Sequence, residues 1–365
     1  MNANLLPTAT PDCPWSALSL AEIEADISTL AEPAYRARQL RRALDVNGLM
    51  SWDDATDLPA SLRLRLADRR PLRSLSLAES HTSRLDGSVK LLLEDASHGL
   101  IESVLMFSGK HGAGRATVCV SSQIGCPAAC TFCASGLGFT RNLTSAEITD
   151  QVAHLASVAK QRGRRIDNIV FMGMGEPFLN YDRVMEAIRR LRDSSGFGFG
   201  ARHITVSTVG ITPGILKFAG DAGEVNLAIS LHAPNDELRS RLVPYNRRFP
   251  IADILAAARS YCDRTGRRVS FEYVLLEGTN DTVTLAGDLA RLLKKLNPLV
   301  HVNLIPWNPF PEAEFSRATR DRSERFASTV RDGGVNATVR YSKGLDIDAA
   351  CGQLRRQAEL EALAS

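Results

Sequence analysis

Six short apolar, β-branched runs recur along this chain: ATVCVS (116–121), NIVFMG (168–173), HITVST (203–208), VNLAIS (225–230), VSFEYVLL (269–276) and HVNLIP (301–306). Amphipathic segments separate them, and strands that alternate with helices imply βαβ units and a parallel sheet. TSAEITDQVAHLASVAKQ opens with a capping box, Thr144 and Glu147, and Asp182–Arg192, Ile251–Arg264 and Thr282–Lys295 read as further helices. A seventh run, ATVRYS (337–342), comes near the end. Six βα units are too few for a closed eight-stranded barrel and enough for a curved, open one. The expected fold class is therefore α/β, an open partial (β/α)6 barrel of TIM-like type. The first ~85 residues read as short helices, among them LSLAEIEADISTLA with Ser19 and Glu22 spaced as a second capping box. The predicted organisation is a small helical accessory domain over 1–85, a linking hairpin over 86–112, the barrel over 113–345 and a terminal segment over 346–365.

Polar or unusual residues follow each strand of the rhythm. A cysteine cluster follows the first, GMGEP (173–177) the second, and Ser207 and Thr208 the third. SLHAPND (230–236), EGTND (277–281) and WNP (307–309) follow the other three. In parallel α/β architectures the carboxyl edge of the sheet is where ligands bind, because its loops surround one mouth.

The cluster is GCPAACTFCASG, with Cys126, Cys130 and Cys133 spaced C-x3-C-x2-C. A structural zinc site uses four ligands, usually as two separated pairs, and a fully ligated iron–sulfur cluster also takes four cysteines. No second pair lies nearby and the cluster itself holds no fourth cysteine; the closest upstream histidine is His111, in the glycine-rich SGKHGAGR. Three thiolates on a four-iron cluster leave one iron open to a substrate. With seven cysteines in all and no apolar leader or membrane-length run, the expected setting is the reducing cytoplasm, where clustered thiols are ligands or catalytic groups. A hydrophobic content of 44% argues against disorder. The net charge of +3 identifies no partner. Its distribution is more informative: Arg36, Arg38, Arg41, Arg42, Arg63, Arg65, Arg69, Arg70 and Arg73 outnumber Asp45, Asp53, Asp54, Asp57 and Asp68 in one stretch. That excess suits RNA phosphates as well as a solvated helical surface, and the pairs Arg164–Arg165, Arg247–Arg248 and Arg267–Arg268 are further candidates.

The cysteine spacing after a first barrel strand resembles the radical S-adenosylmethionine enzymes. CVSSQIGC, CTFCASGLGFTRNL, MGMGEPFLNYD, AISLHAPND, VNLIPWNPFP and DIDAACGQL narrow the resemblance to bacterial radical methyltransferases that methylate adenine carbon 2 in 23S ribosomal RNA, some of them also acting on tRNA. It runs from about Tyr35 to Leu354. The resemblance implies a 4Fe–4S cluster on Cys126, Cys130 and Cys133. It implies S-adenosylmethionine bound at Gly175, Glu176, Ser207, Ser230, Leu231, His232 and Asn308, and cleaved by one electron to a 5′-deoxyadenosyl radical. It implies that Cys351 accepts a methyl group and carries it to the ring, that Glu102 takes the carbon-2 proton, and that Cys119 resolves the protein–RNA adduct by forming a disulfide with Cys351. An electron donor of the flavodoxin or ferredoxin type, RNA as partner and a monomeric, membrane-free enzyme complete the expectation. Cys119 also suits plain burial in a strand, Cys351 helix packing and Glu102 a solvated strand carboxylate, while FSGKHGAGR replaces a shorter connection usual in the family. Carbon-8 methylation is the alternative within enzymes, and a non-catalytic zinc-containing RNA-binding protein the alternative outside them. Cys13 and Cys262 match no family position.

Overall fold

The computed structural model describes residues 13–109, 114–296 and 300–354, so His111 lies outside the described residues. Strands in chain order are β1 (Leu75–Thr82), β2 (Val89–Asp95), β3 (Leu100–Phe107), β4 (Ala116–Cys119), β5 (Gln123–Gly125), β6 (Phe139–Asn142), β7 (Asn168–Phe171), β8 (Ile204–Thr208), β9 (Asn226–Ser230), β10 (Val269–Leu275), β11 (Val300–Pro306) and β12 (Asn336–Val339). All but β5 and β6 form one sheet in sequence order, antiparallel from β1 to β4 and parallel from β4 through β7 to β12. The crossovers are α4 (Ser145–Gln161), α5 (Tyr181–Arg192), α6 (Thr212–Asp221), the pair α7 (Asp236–Leu242) and α8 (Ile251–Thr265), α9 (Val283–Lys294) and α10 (Arg320–Asp332), preceded in the chain by α1 (Leu20–Thr29), α2 (Tyr35–Asp45) and α3 (Ala60–Arg69). The parallel part thus holds six βα units followed by β12, the open barrel that the rhythm implied. No helix of the described residues is long and apolar enough to cross a membrane.

Side-chain alternation divides the two faces of the parallel strands. Val118, Ile169, Phe171, Val206, Ile229, Phe271, Tyr273, Val302 and Leu304 point to the helices and are fully buried there. Several of the residues that alternate with them are polar or small: Cys119, Ser207, Ser230, Glu272 and Asn303 sit on the inner face, beside Val170, and Ser230, Glu272 and Asn303 stand in register across β9, β10 and β11. A face lined this way leaves room for a ligand instead of closing into a second core.

The helical part ends earlier than expected. α1 to α3 enclose their own core around Trp15, Ile23, Leu40, Leu44 and Leu62, but Leu75–Thr82 belongs to the sheet as β1. Only Leu75 of that strand is buried, so no apolar alternation marks it, and the backbone ladder with β2 holds it in place.

A buried ionic joint ties the helices to the barrel. Arg73 Nη1 meets Asp150 Oδ1 at 2.7 Å, while its other nitrogens donate to the carbonyls of Leu44 and Leu49. Asp150, on α4, also accepts from Ser16 Oγ and from the Ser74 amide. Breaking such a pair from one side strands a buried charge, which costs about 3–5 kcal/mol. Asp150→Ala is therefore expected to lower unfolding free energy on that scale in denaturant titration. A loss under about 1 kcal/mol would show the joint to be incidental.

Candidate active site

The chain leaving β4 is fixed by Ser121. Gln151 of α4 takes both its amide and its carbonyl, replacing the lost strand partners, while Ser121 Oγ donates to the Glu102 carbonyl and accepts from the Met174 amide. One hydroxyl thus joins β3, β4 and the loop after β7. The β5–β6 hairpin then frames the cysteine loop, with the Cys126 amide donating to the Gly138 carbonyl. On the far side Trp307 Nε1 donates to the Phe132 carbonyl at 2.8 Å. Gly173 and Gly175 bring the next loop against this segment. A side chain at Gly173 would meet Ser121 Oγ at 2.7 Å, and one at Gly175, which has φ +105°, would meet Gln123 Cβ at 2.7 Å. The close approach these glycines allow is to protein, and it carries the Gly175 amide to the Cys126 thiol.

Cys126, Cys130 and Cys133 line one cavity of about 150 Å³ at the carboxyl ends of the strands. Burial, with Cys133 as a neighbour, pushes the Cys126 thiol up to about 12, and burial with Cys133 and Cys126 beside it drives Cys130 well above its usual value. Burial also raises Cys133, against opposing hydrogen bonds from Ser135 and the Gly136 amide. Ionising three crowded, half-buried thiols is unfavourable without a cationic group among them, and a metal cluster reverses that balance. Among the described residues no three His, Cys, Asp or Glu side chains gather closely enough for a single metal ion. Thiols spread round a cavity wall fit a larger cluster.

The same wall carries Glu176, Ser207, Ser230, His232 and Asn308. Glu176 is buried and accepts from the amides of Phe178 and Val209 at 2.9 and 2.7 Å. Burial pushes it up to about 7, against the pull of those amides and the Thr208 hydroxyl. Ser207 Oγ and Ser230 Oγ lie 3.4 Å apart. His232 adopts φ +62°, its Nδ1 accepts from the Val274 amide at 3.0 Å and its ring meets Phe132 edge-on. Burial, with Arg239 nearby, lowers it to about 3, so the ring is neutral.

Three expectations change. Leu231 does not line the cavity: its side chain is in the core, its amide donates to the Glu272 carbonyl, and its carbonyl accepts from Arg239. The EGTND loop is also absent from the wall, because Asn280 spends its side chain on the Leu276 amide and the carbonyls of His232 and Val274. Asn308 lines the wall, but its amide nitrogen donates to Ser342 Oγ and to the Cys351 carbonyl, and its oxygen accepts from Arg317.

That bond is one of several lacing residues 344–354 across the mouth. Ala134 donates to the Gly352 carbonyl, Ser135 Oγ to the Leu354 carbonyl, and Gln353 Nε2 to the Pro309 carbonyl. Asp346 takes Ser83 Oγ at 2.6 Å. Cys351 so held lines the cavity of the three thiols and also a second recess of about 890 Å³ inside the barrel. The residue as a whole is exposed. Burial, then Cys133, Cys119 and Glu272 beside it, drives its thiol far up. Cys119 lines the recess, buried on β4, with its thiol pushed up to about 12 by burial. Both thiols are free.

Glu102 lines neither space. It is buried on β3, ion-paired with Lys90 at 3.1 Å, and Lys90 in turn donates to the Asp348 carbonyl. It lies two residues from Val104, the register partner of Cys119, on the same inner face. The amino-terminal arginines are mostly paired within the chain, some of them at its surface. Arg41 pairs with Asp45, Arg69 and Arg70 with Asp26, Arg65 and Arg36 with Glu32, and Arg73 with Asp150, while Arg63 donates to the carbonyls of Trp52 and Asp53. Arg38 and Arg42 are exposed. Sequence reasoning missed Arg239, whose buried guanidinium ties the carbonyls of Val209, Ser230 and Leu231; its signal was an arginine in the short helix directly after SLHAPND. It also missed Glu272, a lone acid inside an otherwise apolar strand.

Comparison with known proteins agrees with this geometry. Residues 120–289 match the model of the Radical SAM superfamily. A protein of Chloroflexus aurantiacus described as "Probable dual-specificity RNA methyltransferase RlmN" is 47% identical, the alignment covering 92% of this chain and 91% of that one. One of the same description from Symbiobacterium thermophilum is 45% identical over 95% and 92%. The crystal structure of a radical SAM methyltransferase from Sphaerobacter thermophilus superposes with a TM-score of 0.87 at 48% identity, covering 96% of this chain and 99% of that one.

Proposed function

The chain belongs to the RlmN-type RNA methyltransferases of the radical SAM superfamily, and from that premise we propose that it methylates carbon 2 of an adenine in 23S ribosomal RNA, with tRNA as a second substrate. The route runs through a methylated Cys351 and a transient protein–RNA adduct, in the cytoplasm, with electrons from a flavodoxin or ferredoxin-type protein.

The cofactors of this family are a 4Fe–4S cluster and S-adenosylmethionine. When bound, they supply the methyl group and the one-electron chemistry that removes a hydrogen atom from it. Cys126, Cys130 and Cys133 would hold the iron, and Gly175, Glu176, Ser207, Ser230 and His232 would hold the cosubstrate. Asn308 would act through the Cys351 carbonyl that it binds, and Leu231 has no part in the reading.

Carbon 2 of adenine is electron-poor and does not attack a sulfonium methyl as a nucleophile. Cys351 answers this by carrying the methyl group as a thioether, so that the carbon can be joined to the ring after losing a hydrogen atom. Glu102 lines neither cavity but stands on the inner face of β3, two residues from the register partner of Cys119, and would take the ring proton once the base is bound there, while the odd electron left on the adduct passes to the oxidised electron carrier. Cys119, as the thiolate, would then attack the Cys351 sulfur: the S–S bond forms as the S–CH2 bond breaks, the electron pair of that bond stays with the CH2 carbon and the ring, and the carbon takes a proton to become the methyl group. The observation that carries the reading is the position of Cys351, on the wall shared by the two cavities with Cys133 and Cys119 both beside its thiol.

Cys119→Ala is expected to accumulate a covalent protein–RNA adduct, seen as a band on a denaturing gel that collapses on ribonuclease treatment. Turnover at the native rate with no such band would remove Cys119 from the reaction. Mass spectrometry of the nucleosides against 2-methyladenosine and 8-methyladenosine standards tests the carbon.

A further inference from the structure

Among the described residues Glu272 is the one acidic side chain on the wall that separates the two cavities, together with Met172, Ile305, Cys351 and Leu354. It is buried on the inner face of β10. Asn303, its register partner on β11, donates Nδ2 to Glu272 Oε1 at 2.7 Å, and Arg340 Nε donates to Asn303 Oδ1 at 2.6 Å. Both carboxylate positions are thereby fixed, yet Oε2 accepts no hydrogen bond among the described residues. The Cys351 thiol lies close enough to feel its charge. Oε2 is not among the sealed, unpaired atoms of the described residues; it opens on the cavities that Glu272 lines, where the donor of a bound ligand can reach it.

The recess on the far side of this wall opens toward the amino ends of the strands. Arg202, Arg267, Arg268, Arg340 and Lys343 line it. Arg202 is ion-paired with Glu224 and Arg340 holds Asn303, which leaves Arg267, Arg268 and Lys343 as the cations that phosphates of an RNA strand would meet there if a nucleotide turned out of its stack entered the recess.

We propose that Glu272 is a specificity-determining residue whose free carboxylate oxygen accepts a hydrogen bond from the exocyclic amine of the target adenine, with Asn303 and Arg340 as its positioning residues. Guanine presents an acceptor oxygen at the corresponding place and is repelled. Removing the amine leaves the buried oxygen unpaired, so a base without it is rejected more strongly than its size alone would cause. The proposal rests on the adenine reading above.

The test uses two RNA oligonucleotides, one with adenine at the target position and one with unsubstituted purine, which lacks only the amine. With the wild-type holoenzyme, methylation of the adenine RNA is the assay of the parent reading, so its failure is scored separately. The purine RNA is expected to lose about 10–100-fold in kcat/KM, the scale of a hydrogen bond to a charged group. In Glu272→Leu that ratio is expected to collapse to under about 3-fold, and Glu272→Gln, which retains an acceptor oxygen, to keep a larger part of it. Because each ratio compares two RNAs on one protein, partial loss of folded enzyme cancels. If Glu272→Leu turns over neither RNA, the same ratio is read from their Kd values. Wild type that does not distinguish the two RNAs, or Glu272→Leu that retains the wild-type ratio, overturns the proposal.

Discussion

Cys351→Ala is expected to bring methyl transfer to RNA down to background while iron content and the far-UV circular dichroism stay those of the parent protein. The loss should be roughly 10⁴-fold or more, the scale on which removing the nucleophile of a covalent route acts. The reason is positional. Residues 344–354 are pinned across the mouth by bonds to Asn308, Ala134, Ser135 and Pro309, so the thiol sits where the two cavities meet, and among the described residues no other thiol lines both. Those pins are all to backbone atoms of the segment or to Gln353, so removing one sulfur leaves them in place. Retained iron with lost transfer separates a carrier from a ligand. Loss of iron together with activity would instead put Cys351 among the donors.

Cys130→Ala is expected to do the opposite to the metal. Two thiolates cannot hold the cluster that three do, so the variant should be purified colourless and cleave no S-adenosylmethionine after reduction, with RNA methylation below detection. The fold should persist, because the sheet and helices are held by a core that does not include the cysteine loop. Cys130 itself packs in a smaller cluster with Phe132, Leu242 and Trp307. Iron measured at the parent stoichiometry in Cys130→Ala would contradict the assignment of this thiol.

The parallel half of the fold was legible because its outward faces are apolar and β-branched. The runs at Asn168–Phe171, Val269–Leu275 and Val300–Pro306 name their strands directly, and the capping boxes at Ser19 and Thr144 are both formed. β1 was hidden because it buries one side chain, and α10 because its apolar stripe is only Phe326, Ala327 and Val330, with charged residues crowding both ends of the helix. The α6 segment opens TPG, a pattern that reads as a turn, yet Pro213 occupies a first-turn position where its missing amide costs nothing.

Most residues of the site were legible for the same reason: they follow strand ends that converge on one mouth. What sequence could not convey was which polar groups are already satisfied. Asn280 and Leu231 sit beside residues that line the cavity, but their hydrogen bonds are spent on neighbouring backbone. The amino-terminal arginines were ambiguous between phosphate contact and structure, because pairing partners such as Asp26 and Asp150 lie 43 to 77 residues away. Glu272 escaped notice since a single acid in VSFEYVLL gives no sign of facing Cys351 across a barrel.

The most direct test of the carrier role is the mass of the tryptic peptide from Gly344 to Arg355, taken from protein isolated with its cluster from cells. The account predicts a peptide heavier by one methyl group, located at Cys351 by fragmentation. An unmodified Cys351 thiol in cluster-loaded enzyme supplied with S-adenosylmethionine would contradict it.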